Sequence, residues 1–65
     1  MMMRDRFEEI FEEVMEELDL EAWYELFDSA NYDTMVVARI VAEFGEEVLD
    51  SEEFQDWDYM MAMDL

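Results

Sequence analysis

The 65-residue chain contains no proline and a single glycine, Gly45, and this absence of helix breakers most constrains its fold. Proline interrupts a helix because it lacks the N–H donor, and glycine weakens one because it loses the most conformational freedom on folding. Helix is therefore predicted over most of the length, with Gly45 at one helix end. A chain of this length can build one small core, so we expect a single domain over residues 1–65.

The clearest predicted helix lies near the amino terminus, over residues 4–18. Its apolar side chains recur at intervals of three and four, starting at Phe7 and reaching Leu18, as on one face of a helix. Acidic residues fill the remaining surface of this segment. The pattern predicts an amphipathic helix that packs one apolar stripe against the rest of the chain.

A second, shorter helix is predicted next. Asp19 is suited to cap its amino terminus, and the helix should end near Ala30. Asn31 and Tyr32 then suggest a turn.

The third predicted helix covers residues 35–44. Its apolar residues come in pairs four apart rather than in alternation, which favours helix over strand despite the β-branched content. Ala38 and Ala42 should permit close packing, and Gly45 should supply a left-handed carboxyl-terminal cap.

A last helix is predicted from Glu52 to about Met63. Ser51 precedes it and is a favourable amino-terminal cap. The residues expected on its buried face are Phe54, Trp57, Met61 and Leu65. The predicted fold class is therefore all-α, a small bundle of three to four short helices.

The charge balance is extreme, with 21 Asp or Glu against three Arg, no His, and a formal net charge of −18. Because 54% of residues are hydrophobic, the composition indicates a folded protein with segregated faces rather than disorder. Duplex DNA carries one charge per ~1.7 Å, so such a charge matches roughly 31 Å, or about nine base pairs. The expected partner is a basic nucleic-acid-binding protein, whereas nucleic acid itself and anionic membranes would be repelled.

Two acidic segments are the candidate partner-binding sites. On a helix, residues four apart rise ~6 Å, a spacing like that of neighbouring backbone phosphates. The first segment forms two such rows, which comprise Glu8, Glu9, Glu12, Glu13, Glu16 and Glu17. The second segment comprises Glu46, Glu47, Asp50, Glu52, Glu53, Asp56 and Asp58, together with the aromatic Trp57. The alternatives are a solvated face with Phe54 and Trp57 as core residues, and adaptation to a high-salt cell.

In its size, its acidity and its lack of catalytic groups, the chain resembles the DNA-mimic inhibitors carried by phages. Those proteins block restriction, CRISPR, repair or transcription proteins. The resemblance implies a non-enzymatic inhibitor that competes with nucleic acid in the cytoplasm of a host cell.

A second resemblance is local. Asp28 and Ser29 leading into a helix, followed by residues 42–48 and 50–54, are similar to the central part of an acyl carrier protein. In that family the serine of an Asp-Ser-Leu motif carries phosphopantetheine. The resemblance implies a carrier or adaptor domain that docks on a basic enzyme surface, with Ser29 as the modification site.

Catalytic and metal-binding patterns are weak. The chain has no His, Cys or Lys and no phosphate-binding glycine loop. Its acidic turns lack the residue pattern of a calcium-binding loop. We therefore expect no enzymatic activity, no metal and no cofactor.

The two methionine clusters, Met1–Met3 and residues 60–63, form adaptable apolar surface. They are suited to cap the ends of the bundle, to contact a partner or to join two copies of the chain in a homodimer. No window approaches the ~20 apolar residues of a membrane span.

Overall fold

In a computed structural model that describes residues 2–63, the chain folds as a small all-α bundle, and the predicted fold class is confirmed. The four α-helices are α1, Met3–Glu17; α2, Trp23–Phe27; α3, Ala38–Phe44; and α4, Glu52–Met63. A π-helical segment, Tyr32–Val37, leads directly into α3, and a 3-10 segment, Glu46–Asp50, separates α3 from α4. Helix α1 packs against α3, α4 and the π-helical segment, and α2 packs against α4.

Helix α1 confirms its predicted position. Phe7, Ile10, Phe11 and Val14 are buried on one face, which leaves the glutamates on the opposite, exposed face. Asp5 lies in the first turn, where a negative charge interacts favourably with the helix dipole.

Helix α4 also begins and ends where the sequence predicted. Its cap is confirmed, because the Phe54 amide donates a hydrogen bond to Ser51 Oγ at 3.3 Å. Phe54 and Trp57 are buried and Met61 is partly buried. Leu65, the fourth residue expected on this face, lies outside the described residues, as does Met1 of the amino-terminal methionine cluster.

The second helix is shorter than predicted. Asp19 has φ 56°, a left-handed conformation that follows the end of α1, so its predicted role as a cap is wrong. Helix α2 begins at Trp23, after Ala22, which makes no side-chain capping bond, and it ends at Phe27 rather than near Ala30.

The turn predicted at Asn31 and Tyr32 is also wrong, because residues 30–44 are helical without interruption. Tyr32 is buried, its ring stacks on Trp57 at 6.3 Å, and its hydroxyl donates to Asp58 Oδ1 at 2.5 Å. Burial, and then the bond to Asp58, raises the pKa of Tyr32 above its usual value. A buried aromatic ring with a satisfied hydroxyl stabilises this position in the core more than an exposed turn would.

The third helical stretch packs through its apolar residues spaced four apart, as that spacing predicted, rather than through its alanines. Ala38 and Ala42 are exposed, so their predicted role in close packing is wrong. Val36 and Ile40 are fully buried instead. Gly45 ends α3 as predicted, with φ +92°, and its amide donates to Val41 O at 2.7 Å. Its ψ of 162° leads into extended backbone rather than a left-handed helical turn.

Trp57 is the centre of the core. Its ring lies 5.6 Å from Phe7, 6.2 Å from Phe11 and 6.0 Å from Phe54, measured between centroids. It is fully buried, and its indole N–H has no hydrogen-bond partner among residues 2–63. The aromatic packing therefore outweighs the cost of one unsatisfied donor, about 1–3 kcal/mol.

Candidate partner-binding surface

The six glutamates of α1 form two exposed rows, because the apolar stripe of the helix faces the core. We call Glu9, Glu13 and Glu17 the arginine-bound row. We call Glu8, Glu12 and Glu16 the groove-side row, because two of them, Glu8 and Glu12, border a groove between α1 and α4. The members of each row are four apart, so the carboxylates repeat at ~6 Å along the helix axis.

The arginine-bound row is held by two arginines. Arg6 Nη1 lies 3.0 Å from the Glu9 carboxylate and 3.6 Å from that of Glu13. Arg39, which comes from α3, lies 2.6 Å from Glu17.

Arg6 also joins α1 to the end of α3. Its Nε donates to both carboxylate oxygens of Glu43, at 3.0 and 2.7 Å. This hydrogen bond lowers the pKa of Glu43 and, together with Glu9, raises that of Arg6. The arginine-bound row is therefore part of an ion-pair network between α1 and α3.

The groove-side row is different. Within residues 2–63, none of its three carboxylates forms an ion pair. Arg4 precedes Glu8 by one turn, but its Nη2 donates to Met60 Sδ on α4 instead. The groove-side row is thus a line of carboxylates without a direct ion pair in the described part of the chain.

Glu8 and Glu12 border a groove of about 320 Å³ between α1, α2 and α4. We call it the α1–α4 groove. Its apolar lining consists of Phe11, Met15, Trp23, Trp57 and Met61. The sequence did not single out Met15 or Trp23 as functional residues, because both also fit the apolar pattern of a buried helix face.

The second acidic segment does not form one surface. Glu53 and Asp56 lie beside Met3 and Arg4, at the amino-terminal end of α1. Three others, Glu46, Glu47 and Asp50, border a separate depression with Val41 and Leu49. The structure thus places Glu53 and Asp56 beside the start of α1, and the three acidic residues of the 3-10 segment in a separate depression. Glu52 is exposed on the first turn of α4.

Two residues of the second segment serve the fold. Asp58 is half-buried and accepts the hydrogen bond from Tyr32, so it is committed to the core. Trp57 is 0% exposed, so its predicted direct contact with a partner is wrong. The alternative, that Phe54 and Trp57 are core residues, is confirmed. Among the aromatic residues of this region, Tyr59 is 66% exposed.

The carboxylates do not gather into a metal site in the described part of the chain, where no group of three or more acidic side chains is arranged to hold an ion. None of the helices over residues 2–63 combines the length and the apolar character needed to cross a bilayer.

Ser29, the modification site implied by the carrier resemblance, lies immediately before the helical stretch of residues 30–44. It is half-buried, its Oγ donates to Leu26 O at 2.8 Å, and it accepts from the Asn31 amide at 3.2 Å. Comparison of the chain with protein-family models, with curated proteins and with solved structures finds no match.

Proposed function

We propose that the protein is a non-enzymatic, acidic DNA mimic that competes with nucleic acid for the basic surface of a DNA- or RNA-binding protein. The targets implied by the phage-type resemblance are restriction, CRISPR, repair or transcription proteins. The observation that carries the proposal is the groove-side row, whose three carboxylates stand on a rigid helix without an ion pair within residues 2–63.

The dimensions of the molecule support this proposal. Its longest extent is 29 Å, and its net charge is −18. The chain thus holds about one net charge per ~1.6 Å, close to the one per ~1.7 Å of duplex DNA. A phosphate-binding cleft would meet a comparable density of negative charge on a surface that offers no base edges.

Competition would be electrostatic and steric. Like-signed repulsion keeps the chain away from nucleic acid, and opposite charge accelerates its encounter with a basic surface. Once bound, the bundle would occupy the volume that the duplex needs. Binding should weaken as salt rises, because screening shortens to ~8 Å at physiological ionic strength and further above it.

The experiment begins with a pull-down from host lysate at low and high salt, followed by identification of the proteins that elute. Each basic partner is then bound to labelled DNA or RNA and challenged with the chain in a mobility-shift assay. We expect displacement of the nucleic acid and no shift by the chain alone. The proposal fails if no basic nucleic-acid-binding protein is retained, or if the chain itself shifts DNA.

A carrier or adaptor domain is the second candidate, favoured by the position of Ser29 directly before a long helical stretch. Incubation with coenzyme A and a promiscuous phosphopantetheinyl transferase, followed by mass spectrometry, tests the carrier form. A mass gain that the Ser29→Ala variant lacks would support it, and the absence of any gain would remove it.

A further inference from the structure

The α1–α4 groove combines two chemical features that rarely meet on a solvated face. Its interior is apolar, with the thioethers of Met15 and Met61 and the ring of half-buried Trp23 around it. Its rim carries the carboxylates of Glu8 and Glu12, neither of which forms an ion pair within the described residues. Its volume of about 320 Å³ is at the lower end of ligand sites and suits one side chain rather than a cofactor.

An apolar groove with a negative rim matches a side chain that has an apolar stem and a cationic head. Lysine and arginine both bury their methylene stems and keep the charged head at the edge. Arginine fits this groove better, because its planar guanidinium stacks on aromatic faces and pairs with carboxylates through a fork of donors. The groove offers both partners, Trp23 and the two glutamates.

The occupant has to come from another protein. Arg6 and Arg39 form ion pairs outside the groove, and Arg4 borders a different depression, beside Glu53 and Asp56. A second copy would also bring its own charge of −18 to the same surface. A basic partner brings the complementary charge.

We infer that the α1–α4 groove receives an arginine side chain from the nucleic-acid-binding surface of the partner. The guanidinium lies over Trp23 and between Glu8 and Glu12, and the methylene stem packs on Met15 and Met61. This inference rests on the proposed function, since it names the side chain through which a basic partner is held. The groove then selects arginine among cationic side chains, whereas charge alone would attract any basic surface.

The test uses the two tryptophans as reporters. Trp23 lines the groove, Trp57 lies buried beneath it, and the chain has no other tryptophan. Their two indole N–H signals are followed in ¹⁵N-labelled protein during titration with acetyl-Gly-Arg-Gly-amide. Matched peptides carry lysine or citrulline in place of arginine, so that they change head shape or remove the charge.

We expect the arginine peptide to move the Trp23 indole signal in a saturable way. The lysine peptide should bind at least about threefold more weakly, and the citrulline peptide should cause no saturable change. If no peptide moves either indole signal, or if citrulline matches arginine, the inference is overturned.

Two variants of equal charge separate the groove from general attraction. Glu8→Gln with Glu12→Gln neutralises the rim, whereas Glu9→Gln with Glu13→Gln neutralises the neighbouring arginine-bound row. The first pair should weaken the arginine peptide about fivefold and the second less than about twofold. Equal weakening by both pairs would assign the effect to net charge and overturn the inference.

The peptide titration needs no partner protein, so its failure is distinguishable from that of the proposed function. If the chain displaces DNA from a partner but does not bind the arginine peptide, the proposed function stands and the inference about the groove is overturned. If the chain binds the peptide but displaces no nucleic acid, the groove binds arginine and the DNA-mimic proposal is overturned.

Discussion

The two glutamate rows of α1 have the same residue type, the same spacing and the same helix, yet they differ in what lies beside them. The arginine-bound row contacts Arg6 and Arg39, and through Arg6 it is joined to Glu43 at the end of α3. Two members of the groove-side row, Glu8 and Glu12, border the α1–α4 groove, and none of the three forms an ion pair within residues 2–63. One row is therefore bonded within the fold, and the other is not.

This difference shows that total charge is a poor guide to a binding surface. Exposed ion pairs contribute only about 0–1 kcal/mol each, so the arginine-bound row adds little to stability. Its main consequence is partial local neutralisation, because the two positive charges of Arg6 and Arg39 offset two of the four carboxylates that they contact. Of the two rows, the groove-side row then carries the more negative field.

The largest expected effect is on association with the partner. Reversal of Glu8, Glu12 and Glu16 to Lys should lower the association rate constant about 10- to 100-fold, because surface charge chiefly steers encounter. The same reversal of Glu9, Glu13 and Glu17 should lower it less, since two arginines already offset part of the charge of that row. Surface plasmon resonance against the partner from the pull-down measures both. Equal losses would show that the two rows act only through net charge.

The second effect concerns Asp58, whose carboxylate accepts a hydrogen bond from the buried Tyr32 and is therefore used within the fold, like the arginine-bound row. Tyr32→Phe should cost about 1–3 kcal/mol, because the half-buried Asp58 loses its donor. The raised pKa of Tyr32 adds a pH dependence. Its stabilisation is complete below the ordinary tyrosine value of 10.0 and declines as pH rises towards the folded value.

Thermal melts between pH 8 and 11 measure this effect. The alkaline decline should be shallower in Tyr32→Phe than in the natural chain. Tyr59→Phe is the matched control, because Tyr59 is 66% exposed, and it should leave the profile unchanged. A decline of the same steepness in the Tyr32 variant would contradict the assignment.

A smaller effect is expected on stability at neutral pH. Glu8, Glu12 and Glu16 changed to Gln should raise the free energy of unfolding by about 0.4–1 kcal/mol, because two like-charge pairs four apart are removed. The same change in the arginine-bound row should lower it or leave it unaltered, since ion pairs are lost with the repulsion. Urea unfolding at low salt compares the two. The gain from the groove-side variant should shrink in high salt, and a gain that persists there would have another origin.

The smallest effect is the acid response of Glu43, whose pKa is lowered chiefly by the hydrogen bond from Arg6. A lowered folded pKa gives stabilisation that is present above the ordinary value of 4.5 and is lost as pH falls through the folded value. Glu43→Gln should therefore lower the melting temperature by about 1–2 °C at pH 6 and by less at pH 3. A deficit that stays constant from pH 6 to pH 3 would argue against the ion pair.

The parts of the fold that the sequence predicted are those with strong local signals. Helix α1 has an uninterrupted apolar stripe, and α4 has a serine cap directly before it. The predictions fail where contacts with residues distant in the sequence determine the local structure. The sequence around Tyr32 suggests a turn, but in the structure its ring stacks on Trp57 and its hydroxyl bonds to Asp58, which is 26 positions away. These contacts hold Tyr32 in the core as part of a helical stretch.

The candidate site was predicted in outline for the same reason. Six exposed glutamates on one helix follow from periodicity alone, so their position could be predicted. The division into two rows could not, because Arg39 reaches Glu17 only after α3 packs on α1. Arg6 and Glu9, three apart on one helix, were the one signal of this division that the sequence contained.

The backbone at Gly45, at the end of α3, has a conformation that suits a D-amino acid better than an L-amino acid. Its φ of +92° strains any L-residue, although a Cβ built there would meet no atom within 4 Å. The mirror image of its backbone angles is ordinary extended backbone, so a D-amino acid would occupy the position without strain. D-alanine introduced by chemical synthesis would restrict the unfolded chain without straining the native backbone at this position, a gain of about 0.4–1 kcal/mol. The same methyl group on the L-enantiomer would act in the opposite direction, so handedness alone decides the sign.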